Sequence, residues 1–183
     1  MPAFRWADVG GADYGIALLN DGRHGHDALG SRLRLTLVRS AFDPDPESDM
    51  GQHRVRYSLV PHVEDWRRAG ITRLAAGFNQ PLFARAAPNG GGRSDRTWSP
   101  RLVGSPGILL AALKRAQHGA DLVLRLQESF GEAGEAVVEG LPQGSRARNA
   151  TITEDVVDDI PVHDGRFRLQ MRPWQVATVL VTE

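Results

Sequence analysis

Cysteine is missing from this chain. Disulfide staples and thiolate metal sites are therefore excluded, and the composition suits a reducing compartment. Net charge is missing too, with 22 basic against 22 acidic side chains. The arginines are interspersed with carboxylates and form no basic stripe, so nucleic acid and an anionic membrane surface are not expected partners. No apolar stretch approaches the roughly 20 residues of a membrane span, and no charged n-region with an apolar core opens the sequence. The expectation is a soluble, cytoplasmic protein. Aromatic side chains make up only 7% of the sequence, with four tryptophans among them. Nowhere does strand alternate with helix in the manner of an α/β barrel.

Glycine (20) and proline (11) are plentiful, and they bound short stretches of period-2 alternation or β-branched residues. Strands are expected near Gly15–Asn20, Leu33–Val38, Val55–Leu59, Leu122–Glu128, Glu135–Val138, Ala150–Thr153, Arg166–Met171 and Ala177–Val181. Asn20-Asp21-Gly22 signals a tight turn, and His163-Asp164-Gly165-Arg166 a turn of hairpin type. Arg172-Pro173-Trp174 separates the last two strands, giving a closing hairpin over Phe167–Val181. A single helix is expected over Trp66–Phe78, started by Glu64-Asp65 and weakened by Gly70 and Thr72. Ala86–Ser99, with Asn89-Gly90-Gly91-Gly92, has no periodicity and reads as loop. Ile108–Gln117 fits a helix or a strand.

Between the second and third strands runs a long acidic, turn-rich connection, Arg39-Ser40-Ala41-Phe42-Asp43-Pro44-Asp45-Pro46-Glu47-Ser48-Asp49-Met50-Gly51-Gln52-His53. Connections of this length are uncommon in compact domains unless they serve a purpose. Together with Ala17-Leu18-Leu19-Asn20-Asp21, Gly25, the Leu33–Leu37 strand, Tyr57-x-Leu59-x-Pro61-His62 and Asp65-Trp66-Arg67, it resembles the C-terminal half of the glycoside hydrolase family 38 α-mannosidases. The likeness covers most of the chain and is weakest over Phe83–Ser99. It implies a mainly β protein: an antiparallel, galactose-mutarotase-like supersandwich with one short helix, followed by a small terminal β-sandwich unit. Residues 1–100 would belong to the large sandwich and 101–183 to its end and the C-terminal unit. The resemblance also favours a strand at Leu109–Ala112. Phe4-Arg5-Trp6-Ala7-Asp8 would lie well inside the family's polypeptide, so the chain is expected to be the end of a longer enzyme.

Family members use zinc, a carboxylate nucleophile and a second acid carried on a separate barrel, and a retaining pair of carboxylates would stand about 5 Å apart. Those motifs are not found in this sequence. No catalytic residue, metal ligand or cofactor of its own is therefore assigned to the chain, and zinc is expected in the catalytic domain. The implied partners are an α-mannoside and a catalytic barrel domain or subunit; self-association stays open. Asn20, Asp21 and Arg39 are the implied substrate-binding residues, Arg39 above all, because a guanidinium suits sugar hydroxyls. The competing reading has Arg39 pairing with the Asp43–Asp49 acids to order the loop.

Other residues invite chemistry and have plainer explanations. His24-Gly25-His26-Asp27 has two imidazoles at i, i+2 and a carboxylate, but a structural metal site wants four ligands. Asp49, Gly51 and His53 are read as loop-fixing residues, and His62 as the partner of Asp65. Trp66 and Trp174 are assigned to core or interface, which leaves Trp98 as the one candidate sugar platform. Two alternatives accompany the main reading: a stand-alone carbohydrate-binding β-sandwich, and a non-catalytic subunit of a split glycosidase.

Overall fold

The computed structural model describes residues 2–82 and 99–182. They divide between two compact units, one within Met1–Arg85 and the other within Ala86–Glu183.

The first unit is built on a three-stranded antiparallel sheet. Its strands are β1 (Trp6–Gly10), β2 (Tyr14–Asn20) and β5 (Tyr57–Val63), with β2 in the centre. Between them in sequence lies a small hairpin, β3 (His26–Leu29) and β4 (Arg32–Leu35), turned at Gly30 with φ of +57°. A left-handed backbone there is easiest for glycine. The helix α1 (Ile71–Asn79) lies against the sheet. Its Ile71 and Ala75 bury Ala17 and Leu19 of β2, with Trp6, Val60, Trp66 and Phe78 packed around them.

Three expectations for this unit change. The strand expected at Leu33–Val38 ends at Leu35, because its partner β3 is only four residues long. A strand without a neighbour has nowhere to direct its N–H and C=O groups, and residues 36–56 are irregular. The third strand begins at Tyr57, opposite Asn20 where β2 ends. It continues through Pro61, which an edge strand tolerates. The helix starts at Ile71 and not at Trp66. Asp65 does cap a turn, its Oδ1 accepting from the Arg67 and Arg68 N–H groups at 3.0 Å each. Gly70, left-handed at φ 68°, then breaks the path before α1 begins.

The second unit is a sandwich of two antiparallel sheets. One has the order β11 (Val156–Ile160), β10 (Arg146–Ala150), β13 (Val176–Thr182), β8 (Leu122–Glu128), β7 (Ile108–Arg115). The other has the order β12 (Arg166–Met171), β9 (Gly134–Glu139), β6 (Arg101–Gly104). Between them Leu124, Leu126, Val179 and Val181 meet Ala136, Val138, Phe167 and Met171 in one apolar core. The expected strands at Leu122–Glu128 and Arg166–Met171 stand as read, and Ile108–Arg115 is a strand.

Here too the structure departs from the sequence reading. Ala150–Thr153 is the end of β10 followed by a turn, in which the Thr151 N–H donates to Asp155 O. Glu154 in that turn, at φ 76°, ties it to β7 at the other edge of the same sheet through Lys114 and to the Gln117 N–H just beyond it. The strand β11 that follows has no alternation to betray it, since Val156-Val157-Asp158-Asp159 is an exposed edge. Nor do β12 and β13 form a closing hairpin: they belong to different sheets, and the turn at Arg172–Gln175 carries the chain across. The His163–Arg166 turn has the expected pair of positive φ angles, 49° at Asp164 and 68° at Gly165. Trp174, assigned to core or interface, is 64% exposed.

Glu128 holds this crossing together. It is 2% exposed, and its carboxylate accepts from the N–H groups of Phe130 (2.7 Å), Gly131 (2.8 Å), Trp174 (2.9 Å) and Glu132 (3.3 Å). Burial pushes its pKa up, but the four donors together outweigh that and hold it below the ordinary value of 4.5. A buried anion surrounded by backbone donors is a stable arrangement only while it stays ionised. Glu128→Gln turns an amide NH₂ toward N–H donors and should cost roughly 2–3 kcal/mol, read as a lower urea midpoint at neutral pH. The carboxylate's contribution is present above the unfolded pKa near 4.5 and is lost as pH falls through the depressed folded value. Stability of the parent should therefore fall more steeply below about pH 4.5 than that of Glu128→Gln, in melts followed by circular dichroism.

Candidate functional site

The residues singled out from the sequence collect in the first unit, at the end of β2 and in the irregular 36–56 segment. Asn20 is the last residue of β2 and is fully buried. Its Oδ1 accepts from Arg23 N–H at 3.1 Å, and its carbonyl accepts from Asn79 Nδ2 at 2.9 Å, which docks the end of α1 on the sheet. Asn20 Nδ2 is buried and has no hydrogen-bond partner among the described residues. Asp21 pairs with Arg56 at 3.0 Å, closing the mouth of the long connection. Arg56 also donates to Phe78 O and lies over the Phe78 ring at 4.8 Å. Arg39 is exposed. Among the described residues it makes no ion pair with the Asp43–Asp49 acids, contrary to the loop-ordering reading. The loop is ordered by its own turns, with Asp45 Oδ1 accepting from Glu47 N–H and His53 Nε2 donating to Asp49 O at 2.8 Å. Asn20 and Asp21 thus sit side by side, and Arg39 stands beyond β4.

The histidines take individual positions. His24 stacks on Phe4, ring centres 5.5 Å apart, with Nδ1 2.9 Å from Phe4 O. His26 is buried at the start of β3. Asp27, the third member of that cluster, pairs with Arg34. Among the described residues no three His, Asp or Glu side chains converge where a cation would sit. The donor set described here does not fit the zinc of the resembled family. Trp98 lies outside the described residues.

His62 does not pair with Asp65. Its Nε2 is 2.7 Å from Asp8 Oδ2, and its Nδ1 is 3.1 Å from Glu64 O. With acceptors facing both ring nitrogens, only the imidazolium satisfies both. The ring lies over Gly15, where a Cβ would come within 2.6 Å of it, so β2 needs a glycine there. The pair therefore clips β1 to β5 across β2. Asp8 is the residue that reading the sequence missed. Its only signal is a lone carboxylate in an otherwise apolar strand, whose partner is 54 positions away.

The opposite face of this sheet is apolar. It carries Val9, Ile16, Leu18, Leu59 and Val63, with Tyr14 and Tyr57. The β3–β4 hairpin contributes Leu33 above it, leaving a cavity of about 700 Å³ floored by Val9, Ile16, Leu18 and Leu59. Tyr14 and Val63 remain 72% and 74% exposed. In the neighbouring 36–56 segment Phe42 and Met50 also face solvent. So contiguous an apolar surface marks a place where something else packs.

The Asp8 hydrogen bond raises the His62 pKa above its ordinary 6.5; burial opposes this, while the Asp8 charge and the Glu64 carbonyl add to it. The clip's stabilisation is therefore complete below about pH 6.5 and is lost as pH rises through the raised folded value. His62→Gln should cost about 1–3 kcal/mol at pH 6, with the gap to the parent narrowing as the pH is raised past the folded pKa. Urea melts of both proteins across that range check this, and the His62 ring resonances should titrate with a midpoint above 6.5.

Residues 1–47 match the glycosyl hydrolases family 38 C-terminal domain, and residues 107–179 match the glycosyl hydrolases family 38 C-terminal beta sandwich domain, together more than half of the chain. Alpha-mannosidase 2C1 of Mus musculus is 35% identical over 185 aligned residues, covering 98% of this chain and 18% of its own length. The Homo sapiens protein of the same name is 33% identical over 184, with the same two coverages. An alpha-mannosidase from Enterococcus faecalis V583, known as a crystal structure, superposes with a TM-score of 0.78 at 18% identity, over 98% of this chain and 21% of that one. The likeness in structure is one of fold. The chain spans about a fifth of the length of the curated relatives it matches.

Proposed function

The chain belongs to glycoside hydrolase family 38, whose C-terminal β domains it carries, and from that premise we propose that it supports the catalytic barrel of an α-mannosidase and helps complete the mannoside pocket. One observation carries the reading: the apolar face of the β1–β2–β5 sheet, with Tyr14, Ile16, Leu59 and Val63 exposed. A free-standing binding module would have covered such a face, whereas a domain that works within a larger assembly leaves it for its neighbour. Phe42 and Met50, in the loop that holds Arg39, are exposed as well.

In this reading the chain supplies shape and a few polar contacts. The nucleophile, the acid and the zinc belong to the barrel, either as another part of the same polypeptide or as a separate subunit. Arg39 is the sugar contact of choice because its guanidinium is exposed and unengaged among the described residues, while Asp21 already holds Arg56. Asn20 contributes from beneath, by fixing the turn from which Asp21 projects.

Hydrolysis of an aryl α-mannoside, with zinc or cobalt added, separates the possibilities. The purified chain alone should show no turnover. Co-expressed with the remainder of a family 38 enzyme that lacks the matched C-terminal region, it should restore activity. In that assembly Arg39→Ala should lower kcat/KM by about tenfold or more, the loss expected for one charge-assisted hydrogen bond. Turnover by the chain alone that disappears in a His24→Ala/His26→Ala variant would overturn the proposal.

A further inference from the structure

The apolar face of the first unit narrows to a groove of about 700 Å³ between the β1–β2–β5 sheet and the β3–β4 hairpin. Strand register builds its floor. Val9 of β1 stands opposite Ile16 of β2, and Leu18 of β2 stands opposite Leu59 of β5, so these four side chains share one face. Leu33 of β4 meets them from the hairpin. Arg32 and Arg34 alternate with Leu33 and fall on the hairpin's other face, where Arg34 pairs with Asp27. The walls are two turns, residues 10–13 and 30–31. At Gly11 and Gly30 an added Cβ would meet nothing within 4 Å, so no side chain closes the groove there. The first turn is fixed by the Asp13 carbonyl, which accepts from the Glu64 N–H at 2.8 Å. The Asp13 side chain lies exposed on the rim and makes no ion pair among the described residues.

These groups select the occupant. The floor offers no side chain that donates or accepts a hydrogen bond, so a sugar or an ion lodged there would give up its water without replacement. Ile16 and Leu59 are still 45% and 62% exposed with the hairpin in place. Covering that apolar area is favourable in proportion to its extent. At its edge stands one free carboxylate. A polypeptide segment with large apolar side chains and a neighbouring lysine or arginine meets both demands. The chain covers only 18% of the length of its curated relatives, so most of the polypeptide that accompanies such domains lies outside it. We propose that the groove seats a segment from the remainder of the enzyme, with apolar side chains on Ile16 and Leu59 and a basic residue paired with Asp13. The identity of this partner rests on the barrel-supporting role argued above; the chemistry of the segment rests on the groove alone.

Calorimetric titration of the purified 183-residue chain with the remainder of a family 38 enzyme that lacks the matched region tests it, mannosidase activity being read on the same mixtures. Leu59→Ser should weaken association about tenfold (1.4 kcal/mol). Asp13→Lys should weaken it about threefold at low ionic strength and less in high salt. Both side chains are exposed in the chain by itself, so both variants should melt close to the parent. Val157→Ser, on the exposed β11 edge of the other unit, should bind as the parent does. Parent-level affinity in either groove variant, with activity restored, would overturn this proposal and leave the barrel-supporting role standing. No association by the parent chain would overturn both. A chain that sediments as a dimer by itself, and as a monomer once Leu59→Ser is introduced, would give the groove to a second copy and overturn the segment proposed here.

Discussion

A sheet two or three strands wide is held in place mainly by what covers its faces, because its hydrogen bonds merely replace those the strands would make with water. Every other feature of this chain follows from how that constraint is met. In the second unit the two sheets cover each other, and Phe167, Leu124, Leu126 and Val179 form a continuous core from inside the segment itself. In the first unit α1 covers one face with Ile71 and Ala75, and the small β3–β4 hairpin shelters only part of the other. The functional reading comes from that difference. One unit closes on itself, whereas the other presents tyrosines, isoleucine, leucine and valine outward from the same strands that carry the family's recognisable residues.

Charge is buried in both units in ways that resolve its desolvation locally. Glu128 does so with four backbone donors at a point where the chain crosses between sheets. Asp8 and His62 do so with each other, across a glycine that leaves room for the ring. The two respond to pH in opposite directions, since one needs a carboxylate kept ionised and the other an imidazole kept protonated. Both join segments far apart in sequence or on different strands, so each acts as a latch on topology more than as a local stabiliser.

Strands buried on an inner face were legible because alternation and β-branched runs survive there: Leu122–Glu128 and Arg166–Met171 coincide with β8 and β12. The short or exposed strands β1, β3 and β11 were not. β11 has two valines beside two aspartates, and β1 and β3 are short stretches whose extended shape comes from a neighbour. The helix was legible in its apolar spacing, but its start was not, because Gly70 is left-handed at a position where a sequence shows only a weak helix former. Of the candidate site, Asn20, Asp21 and Arg39 were named from resemblance. Their surroundings, such as the Asp21–Arg56 pair, depend on strands returning to the same end of the sheet.

The sequence by itself determined the family, the predominance of antiparallel β structure and the absence of cysteine chemistry, since these depend on residue type, order and local periodicity. Only the tertiary structure decided which partner each polar group finds. It gave His62 to Asp8 and not to Asp65, placed Glu128 at the centre of a ring of N–H donors, and turned the Tyr14–Val63 face outward. Those outcomes are set by strand register and sheet order, which bring together residues up to 61 positions apart, and no local pattern in a chain encodes a distance of that kind.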